Sequence, residues 1–248
     1  MEKPNIILLM TDQQRWDSLG CNGNKFVSTP NLNRLAAEGA NCSNSFTPWP
    51  VCTPARATMW TGVYPHQHQV IYNPYNMDNL LKETAHEQRT VFESMQEAGY
   101  TTAYFGKWHL GHRPEYLPTR HGFDSWLGIP YSNDMDRVLP DGLESRTAMF
   151  NPRSDYWHVP LMRDDTEIER PANQHTITRR YAEEAVAFIE SHQDHPFFLY
   201  LPHTMPHMPL FRSQDFIERS TAGVYGDVIE EIDWAIGQVL DTLDRLNL

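Results

Sequence analysis

Short, largely apolar runs at Ile6–Met10, Thr101–Phe105 and 197–201 alternate with amphipathic helical segments, and this alternation constrains the fold more than any other feature. A strand buried on both faces reads as a continuous apolar run, and Ile-Ile-Leu-Leu-Met at 6–10 is of that kind. Pro30–Glu38 reads as a helix capped by Thr29, with Leu32, Leu35 and Ala36 inward and Gly39 at its end. Thr90 and Glu93 form a capping box for a helix that ends before Gly99 and leads into Thr101–Phe105. Ile177–Ser191 is amphipathic, and 225–246 places Ile229, Ile232, Ile236, Val239 and Leu243 on one face. Such an order predicts an α/β fold, a mostly parallel sheet sandwiched by helices, with ligands beyond the carboxyl ends of the strands. Asp12, Lys107, His109, His203 and His207 all fall at such ends.

Cys52 stands in Trp49-Pro50-Val51-Cys52-Thr53-Pro54-Ala55-Arg56. Taken alone, a free cysteine behaves as a small hydrophobe and is commonly buried. Here the flanking prolines place it in a turn rather than in an apolar run. Pro54 suits the first turn of a helix through 55–60, because that position needs no backbone N–H, and Gly62 is placed to end it. Cys52 therefore lies just before a helix N-terminus, where free N–H groups and the helix dipole favour negative charge. Arg56 follows one turn on. The combination suits a sulfate or phosphate ester.

A cysteine followed by proline two positions on and arginine four positions on also fits a cysteine that a dedicated enzyme oxidises to formylglycine. With that motif the chain resembles the sulfatases of the alkaline phosphatase superfamily, from residue 5 to the C-terminus. Asn5-Ile6-Ile7-Leu8-Leu9-Met10-Thr11-Asp12-Gln13-Gln14 is similar to their first strand ending in metal ligands, and Ser28-Thr29-Pro30-Asn31-Leu32 to the segment that follows. Gly106-Lys107-Trp108-His109-Leu110-Gly111 is similar to their lysine and histidine motif, and His203-Thr204-Met205-Pro206-His207-Met208-Pro209 to their later histidine loop. Each match alone is weak. Four in order, with the nucleophile motif among them, are specific.

The resemblance implies an alkaline phosphatase-like fold and a sulfuric ester hydrolase. In it Cys52, as formylglycine hydrate, is nucleophile and metal ligand, and Arg56 stabilises it. A serine that attacked a sulfate ester would be left as a stable monoester, whereas a hydrated aldehyde offers a second hydroxyl. One hydroxyl attacks sulfur, and the other, once deprotonated, expels sulfate and restores the aldehyde. The resemblance makes Lys107 the sulfate clamp, His109 the base that drives sulfate release, and His207 the contact to the scissile ester oxygen or leaving group. Lys107 and His109 flank Trp108 and so project to one side if this segment is extended. His203 reads as structural or one step removed from the reaction, and His66 and His68 as loop residues.

Asp12 is the expected metal ligand from the first half of the chain, although an aspartate after a strand is, on its own, more often a turn former or helix cap. An all-oxygen site of Asp12, the Gln13 amide carbonyl and the Cys52-derived hydrate suits a hard divalent cation, calcium first, with magnesium or manganese as alternatives. Gln13 departs from the family pattern, in which a second aspartate is common. One fewer negative charge weakens binding or shifts metal preference.

Composition says less. With 248 residues and 40% hydrophobic content the chain can bury a core, as one domain or as part of a larger one. No apolar run approaches a membrane span, and 6–10 after one lysine is too short for a signal peptide. That predicts a cytoplasmic protein, or a periplasmic or secreted one whose signal has been removed. A net charge of −12 argues against nucleic acid and leaves anionic substrates to local basic residues. Three cysteines make no disulfide framework, and Cys21 and Cys42 read as small buried residues.

Residues 111–173 dissolve into prolines, aromatics and charges without a period. Trp126, Tyr131, Tyr156 and Trp157 favour an ordered insertion, and substrate recognition is placed there. The expected domain is 1–248, the N-terminal part of a sulfatase catalytic domain. In the family a later Asp-His or Asp-Asn pair and a further lysine complete the sheet and metal site, on segments after the helix at 225–246. The expected partners are a small-molecule or carbohydrate sulfate ester and, during maturation, the formylglycine-generating enzyme. Two other readings stay open: a phosphonate monoester or phosphodiester hydrolase with the same nucleophile, and a catalytically silent fragment.

Overall fold

A computed structural model describes residues 3–73 and 89–248. Its strands are β1 (Ile6–Met10), β2 (Thr101–Phe105), β3 (Ser125–Gly128), β4 (Leu161–Arg163), β5 (Thr166–Glu169) and β6 (Phe197–Pro202), in one sheet of order β1-β6-β2-β3-β4-β5. The β1, β6, β2 and β3 strands run parallel, with Ile6 opposite Phe198, Thr101 opposite Phe197 and Ala103 opposite Ser125. The β4 and β5 strands add to this as an antiparallel hairpin. Central β6 is buried at every residue, as its unbroken apolar sequence requires. Edge strand β1 is only partly buried throughout.

The helices are α1 (Pro30–Glu38), α2 (Cys52–Thr61), α3 (Pro65–His68), α4 (Val91–Glu97), α5 (Ser145–Phe150), α6 (Ile177–Ser191) and α7 (Gly223–Leu246). Both faces of the sheet are covered. On one, Trp60 of α2 and Phe92 of α4 meet Tyr104, Phe198 and Tyr200 in edge-on and stacked ring contacts. On the other, Phe188 of α6 packs on Phe105 and Phe197, the neighbours that point the opposite way along β2 and β6. Helix α7 lies against α6 and α1 and buries Ile229, Ile232, Ile236 and Val239, with Leu243 partly covered. No helix among the described residues is long and apolar enough to cross a membrane.

The Thr90–Glu93 capping box forms as expected. Thr29 does not cap α1. Its hydroxyl accepts from Gly20 N at 2.8 Å, and the first turn of α1 is capped from far along the chain, Asp233 accepting from Asn31 N at 3.2 Å and Leu32 N at 2.8 Å. Leu35, expected inward, is exposed, because α1 touches the body of the protein mainly through α7. Cys42 is exposed and Cys21 only half-buried, so neither is the small core residue expected. His66 and His68 sit in α3 rather than a loop, and His68 is buried with Nε2 2.9 Å from Thr58 Oγ1. The stretch 111–173 holds β3, β4, β5 and α5. These elements are too short to show a period, and β5 is mostly exposed.

Candidate active site

Helix α2 starts at Cys52, with Val51 extended before it and Pro54 in its first turn. Gly62 closes it in the left-handed conformation, donating to Thr58 O at 2.9 Å. Thr53 N donates to Asn73 Oδ1 at 2.9 Å, which pins the helix start to a neighbouring loop. The Cys52 thiol faces Asp12, which follows β1, with Sγ donating to Oδ1 at 3.4 Å.

The Asp12 carboxylate is shared by two cations. Lys107 Nζ lies 2.9 Å and Arg56 Nη2 3.0 Å from Oδ2. Lys107 also reaches Cys52 Sγ at 3.6 Å and Ser132 Oγ at 3.1 Å. Arg56 Nη1 donates to Tyr104 OH at 3.3 Å and to the Lys107 carbonyl, and the Tyr104 hydroxyl donates to that same carbonyl. One carboxylate and two cations leave one net positive charge in a buried cluster beside Cys52. A cluster that excludes water and keeps a positive charge is built for an anion.

Lys107 arrives there because β2 continues as an extended segment past its last residue. Gly106 N donates to Leu127 O, Lys107 N to Pro202 O and Trp108 N to Ile129 O. Strands approach so closely here that a Cβ on Gly128 would fall 1.8 Å from Gly106 O, and one on Gly106 2.0 Å from Pro202 O. Trp108 points away into the aromatic core against Trp60 and Tyr104. At His109 the backbone turns left-handed, with φ 61°, and its ring joins a second space beside His207. Lys107 Nζ thus turns to Asp12, Cys52 and Ser132, while the His109 ring lines the second space.

Asp12, Gln13, Cys52, Arg56, Asn73 and His207 line a cleft of ≈ 750 Å³. Gln13 is exposed on its rim at a positive φ of 60°. His207 Nδ1 is 2.6 Å from Met208 O, and with that nitrogen donating, Nε2 is left for the cleft. His203 is fully buried, with no hydrogen-bond partner for either ring nitrogen among the described residues.

Burial alone would raise the Asp12 carboxyl, but Lys107 and Arg56 overcome it and hold the group well below the usual carboxylate range. Burial pushes the Cys52 thiol up, with Lys107 acting against it, so an unmodified Cys52 is a poor thiolate nucleophile. Burial, reinforced by Lys107 and Arg56, pushes His109 well below the ordinary histidine value and keeps it neutral, the form a base requires. Burial and Lys107 lower His207 as well.

Asp12, Cys52 and His207 place one ligand atom each within 4.8 Å of one another, the group among the described residues able to hold a metal ion. Asp12 and Gln13 offer oxygens on one wall, and oxidation of Cys52 would replace sulfur by oxygen on the other. This fits part of a hard-cation shell, since calcium takes about six to eight oxygens. Ser132 and Asn73 belong to the site and carry no motif of their own. Ser132 stands beyond the carboxyl end of β3, a signal available only once β3 is known.

A cysteine at a helix start, held beside a buried cationic cluster at the carboxyl ends of parallel strands, is an anion site in a fold of the alkaline phosphatase superfamily. The family model described as Sulfatase matches residues 4–248, and the chain belongs to the sulfatase family. It is 33% identical over 261 residues to the N-acetylgalactosamine-6-sulfatase of Mus musculus, covering 100% of this chain and 48% of that protein. With Arylsulfatase G of Rattus norvegicus the identity is 33%, over 98% of this chain and 49% of the relative. The crystal structure of Ps i-CgsB in complex with k-i-k-neocarrahexaose matches with a TM-score of 0.81 at 28% identity, over 99% of this chain and 56% of that one. The chain thus spans about half the length of the curated relatives it matches.

Proposed function

We propose that the site hydrolyses sulfate monoesters of carbohydrates, with Cys52 acting after oxidation to formylglycine. The observation that carries this reading is the convergence of Lys107, Arg56 and Asp12 on Cys52 at the start of α2. A sulfate there meets the Lys107 ammonium and the helix N-terminus. The aldehyde hydrate supplies a nucleophilic hydroxyl and a second one for sulfate release. Arg56, fixed by Tyr104 and the Lys107 carbonyl, holds charge at the nucleophile without having to move. His109, neutral and without a ring hydrogen bond among the described residues, accepts the proton whose loss expels sulfate. His207 Nε2 lies toward the leaving group. Asp12, Gln13 and the oxidised Cys52 would hold a divalent cation, calcium being the ion their oxygens suit, and it would draw charge from the sulfate. Support for a sugar substrate comes from the relatives, one named N-acetylgalactosamine-6-sulfatase and one solved in complex with k-i-k-neocarrahexaose.

The test is a comparison of kcat/KM for a sulfated monosaccharide, an aryl sulfate and a phenyl phosphonate ester on protein matured at Cys52. Sulfates turning over faster than the phosphonate is the expected result. A preference for the phosphonate would overturn the assignment.

A further inference from the structure

The run 131–136 leaves the carboxyl end of β3 and passes along the site, and its polar side chains are committed almost one by one. The Tyr131 hydroxyl donates to Asp136, which also takes Arg170 Nη1 at 3.2 Å. Ser132 Oγ accepts from Lys107 Nζ. Buried Asn133 donates its side-chain amide to Pro209 O at 3.1 Å and His207 O at 3.4 Å, its Oδ1 has no partner among the described residues, and its backbone carbonyl accepts from Gln174 Nε2 at 2.9 Å. These bonds lock the run to the histidine loop. Asp134, partly buried between them, takes part in no hydrogen bond or ion pair among the described residues.

A lobe of ≈ 460 Å³ opens here, lined by His109, Ser132, Asp134, Asp136, Arg137 and His207, and it shares His207 and Asn73 with the cleft at Cys52. Asp136 is occupied by Arg170, and Arg137 donates to Ser145 Oγ at 2.7 Å. His109 is 2% exposed, and both of its ring nitrogens are without a hydrogen-bond partner among the described residues. Asp134 and His109 thus line one space next to the nucleophile without a direct hydrogen bond from either side chain among the described residues, Asp134 acting on neighbouring His207 only through its charge. Uncommitted groups on a locked backbone are what a ligand meets without a cost of rearrangement.

The geometry points to this lobe as the seat of the sugar ring that carries the sulfate, with Asp134 accepting a hydrogen bond from a ring hydroxyl. This rests on the sulfate-ester reading above. An ionised carboxylate only accepts, a sugar hydroxyl donates, and such charge-assisted bonds are the strong ones. The same charge disfavours a second anion at that position. The ligand class is therefore a sulfated sugar with a free hydroxyl next to the sulfated position, rather than a ring with a second sulfate there. Asp134 determines specificity, and the chemistry itself stays with the groups at Cys52.

The test sets a monosulfated hexose against an aryl sulfate that has no hydroxyl, on protein matured at Cys52. Asp134→Ala should lower kcat/KM for the sugar about 10- to 100-fold more than for the aryl sulfate. Asp134→Asn, which keeps an acceptor oxygen, should lose less. Equal losses on both substrates, or no loss on the sugar, would overturn the assignment. Calorimetric titration of the monosulfated hexose into Cys52→Ala protein gives a second readout that needs no turnover. Adding Asp134→Ala should weaken that binding by a similar factor, and unchanged affinity would again overturn it. Matured protein that hydrolyses a phenyl phosphonate ester but neither sulfate would refute the sulfate-ester reading itself, while the titration would still decide the role of Asp134.

Discussion

Lys107 Nζ lies 2.9 Å from Asp12 Oδ2, and both side chains are almost wholly buried. Arg56 occupies the same carboxylate oxygen from another direction. One aspartate is therefore the shared counter-ion of two cations that have no other carboxylate in contact among the described residues. It is also the one charged metal ligand expected within residues 1–248.

Asp12→Ala should do two things at once. Metal binding should be lost, because no neighbour replaces the charge. Stability should fall by about 3–5 kcal/mol, since Lys107 and Arg56 are left as uncompensated buried charges. Gln13 is exposed, so Gln13→Ala should leave the thermal midpoint nearly unchanged and weaken metal binding less. Calcium titration and thermal unfolding of the two variants check this. Similar behaviour of both would refute the division of roles.

His109 lies beyond the Asp12 cluster, in the adjoining lobe. His109→Ala should keep metal affinity and slow sulfate release, so sulfate should remain covalently attached and be visible in the intact mass after substrate is added. Loss of metal as complete as in Asp12→Ala would mean that His109 holds the ion.

His203 makes a pH-dependent contribution to stability. Burial pushes it down to about 4, below the ordinary histidine value of about 6.5. Between those two values the unfolded chain binds a proton that the folded one does not, so stability falls as pH falls through the window. The contribution is fully present above about pH 6.5, and its loss by pH 4 amounts to about 3 kcal/mol at most. Thermal midpoints measured from pH 7 to 4 should therefore drop less steeply in His203→Leu than in the wild type. Parallel slopes would show that His203 is protonated in the folded state.

Gly128→Ala should destabilise by about 3 kcal/mol, because the added methyl meets the Gly106 carbonyl rather than a side chain that can move aside. Urea unfolding measures it. A loss within a few tenths of a kcal/mol would show that β2 and β3 separate at this point without strain.

The parallel sheet was legible because the apolar sequences of β1, β2 and β6 carry their own strand signal, but β1, expected to be buried on both faces, is an edge strand and only partly covered. Cys52, Arg56, Asp12 and Lys107 were legible as candidates because each stands in a motif of fixed spacing, and the fold gathers them around the Asp12 carboxylate. Ser132 and Asp134 were not legible, because β3 is only four residues long and shows no period that would place them at a strand end. The cap on α1 was misassigned to Thr29 for a related reason. Asp233, which caps that helix, is about two hundred positions away, and no local pattern reports such a contact. The left-handed turn at His109, which carries its ring into the second lobe, likewise depends on how 106–109 pairs with 127–130.

The central claim is that Cys52 acts as an aldehyde rather than as a thiol. Co-expression with a formylglycine-generating enzyme, followed by mass spectrometry of the peptide that spans Cys52-Thr53-Pro54-Ala55-Arg56, measures this directly. The account predicts conversion of Cys52 to formylglycine, with turnover abolished in Cys52→Ser while the fold is retained. An unmodified thiol, under conditions that convert a known substrate of that enzyme, would contradict it.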